Sequence, residues 1–369
     1  MPDIEKLALK YRPKKFSEVI GQPVVVKAFE NAFKSKSLHN AYILNGGAGT
    51  GKTSLSRIIA AMENCEEGWG KDPCGKCSNC IEILSGNSME VIEKDVASQG
   101  GIDDIRALHK SLYQNPVKCR VKYVILDEAH RLSGPAAEAS LKMIEEPPAH
   151  VKFILATTEA QAFKETINSR CITWNFYSVS WMELFNHLKN IAAKENIEHE
   201  DKALQIAARF AKGSVRNSLQ NLQTIFNYTG GAKLTAQAAI ESIGVIDDVL
   251  YFDFMENIIQ GNSLKCFQIV NKIFSSGKSA KLVLDGMFNH LNNLMIARAC
   301  PNDMDSFNLG EEEKIKYLAQ TKIITGEVLL QIMNLLHQVS FGLSYSLDPD
   351  KLFNKFAIEA LMCYKSNKK

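Results

Sequence analysis

The run Gly46-Gly47-Ala48-Gly49-Thr50-Gly51-Lys52-Thr53 constrains this chain more than any other feature, because it fills the pattern G-x-x-x-x-G-K-[ST] in full. It follows a short apolar run, Ala41-Tyr42-Ile43-Leu44, and precedes Ser54 to Ala61, which has helical character. A strand, a glycine loop and a helix in that order let successive backbone N–H groups converge on phosphate oxygens, with the helix N-terminus adding positive potential. The pattern therefore calls for a nucleoside triphosphate, with ATP expected. Gly46, Gly49, Thr50, Gly51 and Ser54 would form the cradle, Lys52 would reach the outer phosphates, and the Thr53 hydroxyl would ligate Mg2+.

An acidic partner is expected at the end of another buried strand. Val121 to Leu126 runs directly into Asp127-Glu128-Ala129-His130. Asp127 would share the magnesium with Thr53, and Glu128 would orient and polarise the attacking water. The same four-residue string occurs in helicases, but no second helicase-like α/β domain follows. Further strands are predicted at Met89–Glu93, Val151–Ala156 and Ile172–Phe176, four of the five being apolar enough to be buried on both faces. Helices are predicted at Ile102–Tyr113 and Gly134–Glu145. Together these describe an α/β fold with a doubly wound parallel sheet.

Past about Ser178 the apolar spacing turns helical, through 182–193, 201–212, 249–259, 281–299 and 328–343. Gly213 and Tyr228-Thr229-Gly230-Gly231 punctuate it, Asn302 to Gly310 is expected to be a loop, and the C-terminal 365–369 a frayed end. The length of 369 residues suits two or three domains. A net charge of +2 argues against indiscriminate coating of nucleic acid, while leaving room for a local basic surface. No apolar run approaches the roughly 20 residues of a membrane span. The start, Met1 to Lys6, does not resemble a signal peptide, so a cytoplasmic location is expected.

Cysteines number nine, and Cys65, Cys74, Cys77 and Cys80 form C-x8-C-x2-C-x2-C. Four thiolates without histidine describe a closed structural zinc site, with a redox pair or an iron–sulfur cluster as the competing readings. Cys119, Cys266, Cys300 and Cys363 are expected to be packing residues.

These motifs, with Lys10-Tyr11-Arg12-Pro13, Phe16, Val19-Ile20-Gly21-Gln22, His39-Asn40-Ala41-Tyr42, Leu141 to Pro148, Leu155-Ala156-Thr157-Thr158, Ser169-Arg170-Cys171 and Gly213-Ser214-Val215-Arg216, resemble the gamma/tau ATPase subunits of bacterial DNA polymerase III clamp loaders, within the AAA+ class. The resemblance runs from residue 4 to about residue 220. It implies an AAA+ P-loop domain with a parallel sheet over 1–178, its zinc-binding insertion at about 63–86, a helical lid domain over 179–242 and an all-α collar over 243–369. It implies that Tyr11, Arg12, Pro13, Val19 and Ile20 frame the adenine, that Thr158 senses the γ-phosphate, and that Arg216 touches the phosphates in cis. Arg170 would act in trans as an arginine finger in a neighbouring subunit, and Arg106 would contact DNA. Cofactors implied are ATP, Mg2+ and Zn2+. Partners implied are delta- and delta-prime-like subunits, copies of the chain itself, the sliding clamp, primer-template DNA and single-stranded-DNA-binding protein, with no membrane.

Two positions depart from the family pattern. Asn217 stands where an Asp usually follows the lid arginine, and Gln99-Gly100-Gly101 stands where basic residues are common. The chain also stops at the collar, as the short gamma-like form would. A branch-migration or other DNA-remodelling ATPase, or a clamp-loader subunit that has lost hydrolysis, are the alternatives.

Overall fold

The alternation of apolar side chains along each central strand is what builds the first layer of structure. Tyr42 and Leu44 point to one side of their strand, Ala41 and Ile43 to the other. Tyr123 and Ile125 likewise oppose Val124 and Leu126. A computed structural model describes residues 7–69, 72–99, 101–132, 134–302, 311–344 and 348–366. The expectations for Met1–Lys6, Gly100, 303–310 and 367–369 lie outside these residues.

Five parallel strands form one sheet: β1 (Ala41–Gly46), β2 (Val91–Asp95), β3 (Lys122–Asp127), β4 (Val151–Thr157) and β5 (Ile172–Phe176). Their order is β2-β3-β4-β1-β5. Register is unambiguous, with Ile43 beside Leu155 and Thr173, and Ile125 beside Ile154 and Glu93. One face is covered by the helices Pro23–Lys34, Lys52–Asn64 and Ser78–Ser85, through Phe29, Phe33, Ile58, Ile59 and Ile83. The other is covered by Ile102–Leu112 and Gly134–Glu145, through Ile105, Leu108 and Met143.

Only β1, β3 and β4 are buried on both faces. The expectation of four such strands needs correction: β2 and β5 are the sheet edges, and β5 leaves Ile172, Thr173 and Asn175 exposed. An edge strand lacks a neighbour on one side, so its apolar composition does not guarantee burial.

Contacts divide the chain into two compact units, Met1–Leu234 and Thr235–Lys369. The first adds to the sheet the helices Trp181–Lys194, Asp201–Arg209 and Val215–Tyr228. Trp181–Lys194 starts with a full capping box, Ser180 accepting from the Glu183 N–H and Glu183 reaching back. Ser214 caps Val215–Tyr228 through the Asn217 N–H. The regular structure of the second unit is helical among the described residues, with Asp248–Gln260, Ser263–Ser275, Ala280–Ala299, Gly326–Ser344 and Pro349–Ser366 around an aromatic and aliphatic core. No helix among the described residues is long and apolar enough to cross a membrane.

Of the cysteines expected to pack, Cys119 and Cys266 are buried and Cys363 is half-buried. Cys300 is exposed, a correction that follows from its place as the residue ending helix Ala280–Ala299.

Candidate functional site

The glycine loop sits at the C-terminal end of β1 and opens onto a cleft of about 860 Å³. Its glycines answer two different demands. A Cβ on Gly46, at φ +154°, would stand 2.4 Å from the Phe176 carbonyl of the neighbouring strand. On Gly49, at φ +74°, it would stand 2.1 Å from Ser214 Oγ and 3.1 Å from Arg216 Cβ. Gly49 is thus where the loop and the helix carrying Arg216 come together, and the Arg216 N–H donates to the Gly49 carbonyl at 3.4 Å.

Lys52 is buried at the first turn of its helix and donates to the carbonyls of Gly46 (2.6 Å) and Gly47 (2.9 Å). Burial pulls its ammonium below the ordinary lysine range, against the opposing pull of Asp127 and Glu128. The Thr53 hydroxyl donates to Asp127 Oδ2 at 2.9 Å, which joins the loop after β1 to the end of β3 across the intervening β4. Glu128 occupies the left-handed region (φ 50°), and this turns its carboxylate back toward the ends of β3 and β4. There it accepts from Thr158 Oγ1 at 3.4 Å and lies 3.4 Å from His130 Nδ1. His130 is itself 3.0 Å from Thr157 Oγ1.

The cleft is walled by Tyr11, Arg12, Pro13, Val19 and Ile20 on the N-terminal side, and by Ala48 to Ser54, Asp127, Glu128 and Arg216. Arg12 Nε donates to Ser54 Oγ at 3.1 Å, and burial lowers its guanidinium below the ordinary range. Gly46 and Thr158 do not line the cleft: the Gly46 carbonyl accepts from Lys52, and the Thr158 hydroxyl donates to Glu128. Asn217 contributes its N–H to the Ser214 cap.

Arg170 and Arg106 also lie apart from this cleft. Arg170, just before β5, pairs with Glu145 at 3.2 Å and donates to the Thr166 carbonyl at 2.9 Å, with its side chain 41% exposed. Arg106 is 65% exposed and pairs with Asp103 of its own helix at 3.7 Å.

The sequence reading missed His187, Leu219, Gln220, Gln223 and Thr224, which also line the cleft. The last four follow Arg216 at helical spacing, so extending that residue along its helix face would have found them. His187 carries no such signal. Burial lowers its imidazole to about 4, and Lys194 adds to the effect.

The four clustered cysteines bring their sulfur atoms within 4.8 Å of one another. A tetrahedral metal at roughly 2.3 Å from each sulfur would separate them by about 3.8 Å, so the set fits one ion after a small contraction. Cys65 ends the helix Lys52–Asn64, and Cys77 caps Ser78–Ser85 by accepting from the Cys80 N–H. Backbone N–H groups of Cys77 and Lys76 point at the Cys74 sulfur and lower its thiol to about 7. Burial pushes the Cys80 thiol upward, so a cation is needed for all four to carry charge together.

Family models match three stretches of the chain. Residues 21–180 match the family described as DNA polymerase III, delta subunit. Residues 183–222 match the DNA polymerase III clamp loader subunit, ATPase lid domain, and 234–351 match DNA polymerase III subunits gamma and tau domain III. The chain is 34% identical over 315 residues to DNA polymerase III subunit gamma of Buchnera aphidicola subsp. Schizaphis graminum, covering 85% of this chain and 86% of that one. It is 35% identical over 321 residues to DNA polymerase III subunit tau of Escherichia coli strain K12, covering 86% of this chain but 50% of the relative. The chain therefore spans about half the length of the tau relatives it matches. Among solved structures, the Thermotoga maritima RuvB Holliday junction branch migration motor overlays with a TM-score of 0.50 at 21% identity, over 68% of this chain and 79% of that one. That likeness concerns the fold alone.

Proposed function

Because this chain belongs to the gamma/tau family of DNA polymerase III subunits, we propose that it is a clamp-loader ATPase. It uses ATP binding and hydrolysis to open a sliding clamp and place it on primer-template DNA. The observation that carries the reading is the 2.9 Å bond from Thr53 to Asp127, which closes the phosphate loop onto the acidic end of β3 inside one cleft.

In this reading the adenine lies against Tyr11, Arg12, Pro13, Val19 and Ile20, and the phosphates lie in the cradle from Gly46 to Ser54. Lys52 and Arg216 offset the charge of the outer phosphates. Thr53 and Asp127 offer a pair of oxygen donors suited to Mg2+, which when bound neutralises phosphate charge. Glu128, oriented by Thr158, accepts a proton from the attacking water. The four cysteines would hold Zn2+ as a structural ion, since no ligand position is left open.

Arg170 lies outside its own cleft and is held at the surface by Glu145, a position suited to reaching the site of a neighbouring subunit. Subunits of the same assembly, copies of this chain among them, and the clamp are the proposed partners. Arg106 is proposed to contact a DNA phosphate, and single-stranded-DNA-binding protein to be a further partner. The three-part division at 178 and 242 is kept as the proposed domain organisation, with function in the cytoplasm.

The test is ATP hydrolysis by the reconstituted assembly on primed DNA with its clamp. Arg170→Ala should leave ATP affinity of the chain unchanged and reduce stimulated turnover by about 10³-fold or more. Unchanged stimulated turnover in the variant would remove Arg170 from the mechanism. A wild-type assembly that releases no phosphate would remove the ATPase reading itself.

A further inference from the structure

Three consecutive residues at the edge of the cleft are tied in two directions. Arg12 is bonded to Ser54, at the start of the phosphate-loop helix. Lys10 and Tyr11 are bonded instead to Glu195, the residue that ends helix Trp181–Lys194. The Lys10 ammonium lies 2.6 Å from Glu195 Oε1, and the Tyr11 hydroxyl donates to the same oxygen. Lys10 Nζ also lies 5.8 Å from the centre of the Tyr11 ring, which closes the triangle.

Local forces do not explain a carboxylate at this position. The C-terminal end of a helix carries partial negative charge and disfavours one. Glu195 is nonetheless inward-facing, with its side chain 11% exposed while that of Lys10 is 51% exposed. Its carboxyl is held below the ordinary range, first by Lys10 and then by Tyr11. Burial and then Glu195 raise the Tyr11 hydroxyl to about 12, so the tyrosine stays protonated and donating. Glu195 does not line the cleft, whereas Tyr11 does.

We propose that Glu195 is a positioning residue for nucleotide binding, acting through Tyr11. By fixing the hydroxyl of Tyr11 to the first lid helix, it sets the angle of the ring that walls the base end of the cleft. The same contact couples that helix to the base, in the way that Arg216 couples helix Val215–Tyr228 to the phosphates. The inference rests on the ATPase reading and assigns a role that the phosphate loop does not contain.

The experiment measures binding of ATP and of inorganic tripolyphosphate, which lacks a base, to the full chain by calorimetry. Glu195→Ala and Tyr11→Phe should each weaken ATP by about tenfold, the order expected for a hydrogen bond to a charged group. Neither should change tripolyphosphate affinity, and the double variant should lose no more than either single one. In turnover, KM for ATP should rise with kcat changed by less than about twofold. If Glu195→Ala does not fold, Tyr11→Phe alone decides, since it removes one hydroxyl and leaves the Lys10–Glu195 pair. Unchanged ATP affinity, parallel loss of tripolyphosphate, or additive losses would each overturn the proposal. A wild-type chain that binds neither ligand would overturn the ATPase reading and this inference with it.

Discussion

In the first unit the buried side chains include Lys52, Glu63, Glu90, Lys122 and Lys152, whereas the buried polar groups of the second, among the described residues, are Asn257, His290 and Thr321. Burying a charge is costly unless a partner is supplied, so each buried charge in the first unit has to be accounted for. Lys52 faces the cleft, where its charge is proposed to serve phosphate. Glu63 and Lys152 meet instead beneath the sheet, at 2.6 Å, with the Tyr123 hydroxyl on the other carboxylate oxygen. In the second unit the interior is rings and aliphatic chains, with His290 set between Tyr251, Phe252 and Tyr317. The apolar cores of the first unit enclose charged side chains, whereas the core of the second holds together by apolar packing around few polar groups.

Three changes would sharpen or break this contrast. The largest effect is expected at Lys52. Lys52→Ala should lower turnover by about 10²–10³-fold, the cost of losing one charge-stabilising contact. Its denaturation midpoint should stay near that of wild type, because the bonds lost go to the carbonyls of a loop that remains closed by Thr53. A variant that lost stability and activity together would place Lys52 among the structural charges.

The buried pair should behave in the opposite way. Lys152→Met leaves Glu63 without its cation and should cost about 3–5 kcal/mol of stability in urea unfolding. Adding Glu63→Gln to Lys152→Met should recover much of that loss, since no charge is then left buried. Failure of the second change to help would mean that the pair also holds the sheet in register.

The most gradual effect belongs to His290. Burial lowers its imidazole to about 3, well below the ordinary value near 6.5. The folded state therefore binds its proton more weakly than the unfolded state. The stability this group contributes is complete above about pH 6.5 and falls away as the pH drops toward 3, by up to about 1.4 kcal/mol per pH unit. His290→Gln should flatten that part of the curve when unfolding is followed between pH 7 and pH 4. His187 in the first unit, lowered to about 4, should leave a residual slope in the variant. A variant curve as steep as wild type would show that acid sensitivity lies elsewhere.

Legibility in the sequence followed the range of the forces involved. The strands, the phosphate loop and Asp127-Glu128 were readable because a strand, a tight glycine turn and a capped helix are local patterns. Helix Gly134–Glu145 agreed with its predicted bounds, and β5 did too. The exposure of β5 was not readable, since strand order, not composition, makes an edge. Helix Ser78–Ser85 was hidden inside the cysteine run, where metal spacing dominated the reading.

The phosphate loop that opened the sequence reading thus determined, by itself, a strand–loop–helix unit with Lys52 and Thr53 placed for phosphate and metal, and the string after the third strand added Asp127 and Glu128. Tertiary structure decided what surrounds that site. It brought Thr53 to Asp127 and turned Glu128 toward Thr158. It also set Arg216 against Gly49, and fastened Tyr11 to a carboxylate 184 residues away. Contacts of that separation leave no period or spacing in the chain, because they depend on which strands become neighbours and on how far a side chain can reach once they do.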